Sequence, residues 1–468
     1  MDPAAQELKP LPPALERARL VALVLLVASV PLAGFVGVKI PGTSHQKKMA
    51  TLALFDVLIW ISLALVVLCR FMRQGPRGVL RLPCAVPVAA WCLVALSVWS
   101  GMIWPRCTSA VEPLGLASVA RKLLPLVEYG ALAFIVFGEL ASGEKQRRAG
   151  LLTLSVLTGI ALIYGAIQYF GSAETFHVGS FFGGKELFSG GNRNALGTFL
   201  AVAVPFFAVM AAGARAWEWR VLYGLLAAIG VLLALSGGAV LGIVCGALLG
   251  AVLLGRTRGT IVAAVLVVLL GLGQVLPRKN LRTALNSVRM DRTCPKTGEQ
   301  LLAMRYVRAG AEINVLRAPL RRSDPKPGLF FGVGPGGYDR TRELRPRLDE
   351  RPAGQTDNLE NYDVLANEPH TFNLFGDAAA ELGLLGLIGF LWFFAACARR
   401  CLDAWKSSAE GSLERVLALA ALAAVVGGIV ASPFTSVWIR GSGPLLVMLV
   451  ALASSACVDN AMTADTQD

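Results

Sequence analysis

Apolar runs of bilayer length recur along nearly all of this 468-residue chain, and that repetition constrains the fold more than any motif does. A helix of ~20 apolar residues crosses the hydrocarbon core of a membrane. Lipid offers no partner for a bare peptide group, so a helix or a closed barrel must satisfy every one internally. Bounded by charges or turn residues, the runs predict twelve helices, at 20–38, 49–69, 83–103, 118–141, 150–170, 194–213, 221–236, 238–255, 259–276, 381–398, 414–432 and 442–457. Only Ser236-Gly237-Gly238 separates the seventh from the eighth, so a single re-entrant pair, and ten spans in all, is the alternative. Composition agrees: 55% of residues are hydrophobic and 16% charged, where a soluble domain carries about 25% charged residues. The expected fold class is an all-α polytopic integral membrane protein.

The net charge is +13, from 44 Lys+Arg against 31 Asp+Glu. In a soluble protein this would suggest nucleic acid, but here the basic residues sit in short loops between apolar runs, where they orient helices. With the N-terminus in the cytoplasm, eighteen fall inside, among them Arg17, Arg19, Arg70, Arg73, Arg147, Arg215, Arg400 and Arg415, and nine fall in short outer loops and helix ends. Both termini are therefore expected inside, with membrane lipid and no nucleic acid as partner. The first run is long for a signal peptide and lacks a small-residue cleavage site, so it is read as a span.

The chain divides into 1–275, a long polar segment 276–374 thrown to the outer side, and 375–468. That segment holds 17 Lys+Arg and 12 Asp+Glu. Residues 280–285 and 300–307 read as short amphipathic helices; Pro325, Pro327, Pro335, Pro346 and Pro352 make the rest irregular. No internal repeat supports an inverted-repeat transporter. Most of the nine cysteines lie in or beside apolar runs; Cys107 and Cys294 are the only pair outside, where one bridge is open to them.

Chemistry is confined to few residues. His45, His177 and His370 are the only histidines, all on the outer side. His370, in Asn367-Glu368-Pro369-His370-Thr371-Phe372-Asn373, stands where the long segment returns to the membrane. An imidazole with a pKa of about 6.5 accepts a proton from a sugar hydroxyl near neutral pH, but a loop histidine also packs against or caps a helix start, and both readings remain open. Arg193 precedes the sixth run, and Arg305 and Arg308 share a helix face at i, i+3. Guanidinium groups grip a diphosphate bidentately without losing charge; solvated or headgroup-binding arginines are the alternative. Gly332-Val333-Gly334-Pro335-Gly336-Gly337-Tyr338 lacks the Lys-Ser/Thr ending of a phosphate-binding loop and reads as a tight turn. Asp56, Glu128 and Glu139 within the runs are expected in structural ion pairs. No HExxH, paired Cys/His set or GxSxG occurs, so no metal or cofactor is expected.

Three of these features in order resemble the O-antigen ligase family: Asn192-Arg193-Asn194 opening a span, an arginine-bearing helix followed by a Pro/Gly turn (Arg305 to Tyr338), and a histidine followed by Glu-x-Gly-x-x-Gly at a span start (His370, Glu381, Gly383, Gly386). The likeness covers residues 190–400. It implies a GT-C-like, metal-independent glycosyltransferase of the bacterial inner membrane, its site facing the periplasm. Such an enzyme passes O-antigen from undecaprenyl diphosphate to a hydroxyl of lipid A-core. His370 then matches the family's base and Arg305 or Arg308 its loop arginine, with Asn192, Asn194, Tyr338, Asn373 and Glu381 in support. The chain departs from the family in two places. Thr371 rather than Asn follows His370, and Ser236 is followed by Gly237-Gly238 rather than Arg-Gly, which leaves Arg193 as the second diphosphate ligand. Within the family, an O-antigen polymerase or a protein O-oligosaccharyltransferase is the alternative; outside it, a transporter of lipid-linked glycan.

Overall fold

The computed structural model describes residues 11–30, 37–40, 50–80, 84–103, 116–139, 144–171, 193–234, 237–255, 330–332, 334, 374–433 and 442–454. Among these, eleven α-helices and one pair of short strands occur. In chain order they are α1 (Pro13–Ser29), β1 (Gly37–Ile40), β2 (Ala50–Ala53), α2 (Leu54–Leu80), α3 (Ala85–Val98) with a π-helical turn Trp99–Ile103 at its end, α4 (Leu116–Glu139), α5 (Glu144–Gly171), α6 (Arg193–Gly213), α7 (Trp217–Leu233), α8 (Gly237–Leu254), α9 (Leu374–Ser407), α10 (Leu413–Ala431) and α11 (Ser442–Ala453). Among the described residues, four segments are long and apolar enough to cross a membrane: Ala85–Met102, Leu196–Gly213, Glu381–Ser407 and Leu413–Ala431. Apolar stripes also face outward, such as Leu152, Val156, Ile160 and Ile163 on α5 and Leu384, Ile388, Leu391 and Trp392 on α9. Surfaces of this kind belong in lipid rather than water. The chain is a helical, membrane-embedded protein.

Two expectations are corrected at the first loop. The first helix covers 13–29 rather than 20–38: Pro13 sits in its first turn, where a missing N–H costs nothing, and Pro31 has no N–H with which to continue the ladder. The second helix begins at Leu54 rather than 49, because Ala50–Ala53 pairs antiparallel with Gly37–Ile40, Gly37 opposite Ala53. The fold is therefore helical but for one two-stranded ribbon. Apolarity alone does not separate a short strand from a helix end. The run 259–276 and the short helices expected at 280–285 and 300–307 lie outside the described residues, as do Cys107 and Cys294.

The seventh and eighth runs form two helices, α7 and α8, and both pack along α6. On α7, the Tyr223 ring stacks on Phe207 with centroids 5.9 Å apart, and a Cβ added at Gly230 would strike Val204. On α8, Gly242, Gly246 and Gly250 recur every fourth residue along the seam with α6 and α10. A Cβ at Gly242 would lie 2.6 Å from the Gly427 carbonyl oxygen, and one at Gly246 would lie 2.9 Å from Pro205. Spacing of small residues at i, i+4 lets helix backbones touch, the main source of association energy where water does not drive packing.

Pro205 explains why Gly427 belongs in α10. A proline inside α6 cannot donate to the carbonyl of Ala201 four residues earlier, and a carbonyl freed in lipid needs a neighbour. The hydrogen of Gly427 that stands where a Cβ would be is aimed at that oxygen, a weak Cα–H···O contact. Gly427→Ala is expected to destabilise the protein by about 1–3 kcal/mol through overpacking, read as a fall in the thermal midpoint in detergent. Gly224→Ala, whose new Cβ would meet nothing within 4 Å, is expected to leave the midpoint unchanged or raise it.

Basic side chains gather at one end of the bundle and hold it together. Arg19 of α1 meets Glu139 of α4 at 3.2 Å, which accords with the ion-pair expectation for that glutamate. Arg147 at the start of α5, almost wholly buried, meets Glu414 at the start of α10 at 3.3 Å. Arg400 donates to the Ser454 carbonyl at the end of α11. Ser412 caps α10 by accepting from the Arg415 backbone N–H at 3.2 Å. Asp56 and Glu128 are buried.

Candidate functional site

The opposite end carries the candidate site, built where three separate pieces of backbone meet. The first is the π-helical turn Trp99–Ile103 that ends α3. A π-turn inserts a residue into the helical register and redirects the side chains that follow, and such turns are frequent at functional sites. Here it carries Ser100, fully buried, toward the other two pieces.

The second piece is the turn containing Phe331, Gly332 and Gly334, and the third is a break in α9 at Gly383. Both Gly332 (φ +68°) and Gly383 (φ +69°) have left-handed backbones. A Cβ on Gly332 would strike the backbone of Glu381, and a Cβ on Gly383 would strike the backbone of Phe330. The two glycines thus cross face to face, a close approach open only to residues without a Cβ. The crossing is tied by the Gly334 N–H, which donates to the Glu381 carbonyl at 2.8 Å. The Ser100 hydroxyl donates to the Glu381 carbonyl at 3.1 Å and to the Phe331 carbonyl. Trp99 and Phe331 add a tilted ring contact with centroids 6.1 Å apart.

The break folds α9 back on itself. A Cβ on Gly386 would lie 3.0 Å from the Ala378 carbonyl oxygen, eight residues earlier, where a straight helix would separate those residues by ~12 Å. Phe375 packs edge-on against Phe394 with centroids 6.3 Å apart. The Leu374 N–H donates to the Ser432 carbonyl at 3.0 Å, so the first part of α9 is anchored where α10 finishes. Irregular backbone of this sort is tolerated at membrane depth only where protein buries it, and Gly332 and Leu374 are both buried.

The expected site residues distribute unevenly over this frame. Arg193 and Asn194 are the first two residues of α6. Because Ala201 meets Gly427 and Gly213 meets Val416, α6 and α10 run antiparallel, and α6 starts at the end where α10 stops and Leu374 docks. Glu381 stands at the break, where its backbone carbonyl rather than its carboxylate makes the described links. His370, Arg305, Arg308, Asn192, Tyr338 and Asn373 lie outside the described residues. Sequence reasoning passed over Ser100. The one local cue was Trp99-Ser100-Gly101 closing an apolar run, which has the same composition as any helix end. Among the described residues no group of three or more His, Cys, Asp and Glu is placed to hold a metal ion.

No protein-family model matches the chain, and no relative is found among curated proteins.

Proposed function

We propose that the protein is a membrane glycosyltransferase of the O-antigen ligase kind, which transfers O-antigen polysaccharide from undecaprenyl diphosphate to a hydroxyl of lipid A-core. The observation that carries the reading is one of placement. The start of α6 with Arg193 and Asn194, the Gly332 turn and the Glu381–Gly383 break share the end of the bundle remote from the basic cluster. A cytoplasmic basic end is what the positive-inside rule favours, and this supports a candidate site facing the periplasm. Twelve spans remain part of this reading, with the run 259–276 apolar enough in sequence to supply one of them.

The chemistry follows from the donor. A sugar bonded through its anomeric carbon to a diphosphate already has a good leaving group, so the protein must stabilise charge on the departing phosphates and take a proton from the acceptor hydroxyl. Arg193 together with Arg305 or Arg308 would hold the diphosphate, and His370 would act as base. Direct displacement inverts the anomeric carbon; a retaining course would need a carboxylate nucleophile close to it.

Purified protein in proteoliposomes, given undecaprenyl-diphosphate-linked O-antigen and lipid A-core, is expected to form lipopolysaccharide at an undiminished rate with EDTA and without nucleotide. Lengthening of the donor glycan in place of ligation would identify a polymerase. Strict dependence on an added divalent cation would overturn the arginine-based mechanism.

A further inference from the structure

Buried serines in the helices of this protein generally spend their hydroxyl on their own helix. Ser97 donates to Leu93, Ser155 to Leu151, Ser408 to Ala404, Ser432 to Gly428 and Ser454 to Val450, each four residues back. Ser100, in the π-turn and three residues beyond Ser97, does not. Its hydroxyl reaches Phe331 and Glu381, 231 and 281 residues away in sequence. A serine hydroxyl has one proton to donate, so the two carbonyls share it. Glu381 draws a second bond from the Gly334 N–H at 2.8 Å.

We propose that Ser100 is a positioning residue of the transfer site: by holding the Phe331 and Glu381 carbonyls together it sets the register of the Gly332 turn against the break in α9 at Gly383. The proposal rests on the glycosyltransferase reading. It goes beyond it in naming a residue on α3, far in sequence from every residue of the expected site. Ser100 touches no reacting atom. It acts through the backbone of the Gly332–Gly383 crossing, where neither glycine tolerates a Cβ and a small shift of register has no soft side chain to absorb it. The π-turn supplies the reason that α3 departs from regular helix there: in unbroken α-geometry a serine hydroxyl returns to the carbonyl four residues back, as Ser97 does.

The test compares Ser100→Ala, Ser100→Cys and Ser97→Ala with wild type in proteoliposomes, following transfer from undecaprenyl-diphosphate-linked O-antigen to lipid A-core. Hydrogen exchange over residues 330–334 and 380–385 and thermal midpoints are measured on the same preparations. Loss of one hydrogen bond at this crossing predicts kcat about tenfold lower for Ser100→Ala. KM for the donor is expected within twofold of wild type and exchange faster over both segments. Ser100→Cys, which keeps a weak donor, is expected to recover part of the rate, and Ser97→Ala to match wild type. Wild-type kcat in Ser100→Ala would overturn the proposal and leave the glycosyltransferase reading standing. A fall in rate that only tracks a lower folded fraction, with no recovery in Ser100→Cys, would make Ser100 structural and overturn it too. Absence of transfer by wild type would overturn both.

Discussion

His370→Ala is expected to lower the rate of glycan transfer by about 10³-fold while the protein still inserts, purifies as a single species and binds lipid-linked donor. The magnitude is that of a positioned general base, which contributes about 10² to 10⁴. The expectation rests on the donor's chemistry. In the proposed reaction the diphosphate leaves without protonation, so the acceptor hydroxyl is the group that needs a proton taken, and that proton must go to a base near neutrality. Of the three histidines, His370 is the one that precedes α9 by four residues in sequence. The pH profile carries the sign. An imidazole accepts a proton only when neutral, so kcat/KM should fall toward acid pH, with that limb absent from the residual activity of His370→Ala. Single-turnover assays with radiolabelled donor measure both. Full activity in a folded His370→Ala protein would show that the histidine caps or packs and that the base lies elsewhere.

Gly383→Ala is expected to be severely destabilising, far more so than a methyl group added at Gly75. Two costs combine at that position. The backbone lies at φ +69° and ψ −164°, a region open essentially to glycine, where another residue costs about 1–3 kcal/mol. The new Cβ would also drive into the backbone of Phe330, where no side chain can turn aside. Gly75 separates the two costs. It has nearly the same backbone, φ 66° and ψ −166°, but a Cβ there would meet nothing within 4 Å. Gly75→Ala should therefore show the strain alone, and Gly383→Ala the strain plus the collision. In detergent the thermal midpoint should fall modestly for the first and severely for the second, with transfer lost at temperatures where the second remains folded. Equal effects would mean that Gly332 and Gly383 do not cross closely.

The two breaks also show how local sequence and tertiary contact divide the work of bending a helix. At Gly75 the following residue is Pro76, and a proline both lacks an N–H and pushes its predecessor out of helical conformation. That kink is written in adjacent residues. Gly383 is followed by Leu384 and Leu385, good helix formers, and the run 381–398 reads as one span from its start. The break there is imposed from outside, by the Gly332 turn that comes fifty residues earlier in the chain and by Ser100 on α3.

Much of this protein was legible before any coordinates. Apolar runs marked nearly every helix, because in lipid the backbone has no other way to satisfy its peptide groups. The basic residues Arg19, Arg147, Arg400 and Arg415, assigned to one side by charge bias, do lie at one end of the bundle. The four-residue rhythm of Gly242, Gly246 and Gly250 was also present in the sequence, although which helices it met was not. Three things only the tertiary structure decided. The apolar stretch around Gly37–Ile40 pairs as a strand with Ala50–Ala53, because pairing depends on the partner and not on apolarity. The hydroxyl of Ser100 turns away from its own helix, because the π-turn gives it two distant carbonyls. The first part of α9 folds back at Gly383, because a glycine from another part of the chain occupies the space a straight helix would need. Helices in a membrane follow from local composition, since each satisfies its own backbone; where they break and what meets at the break depends on close approaches between residues hundreds of positions apart.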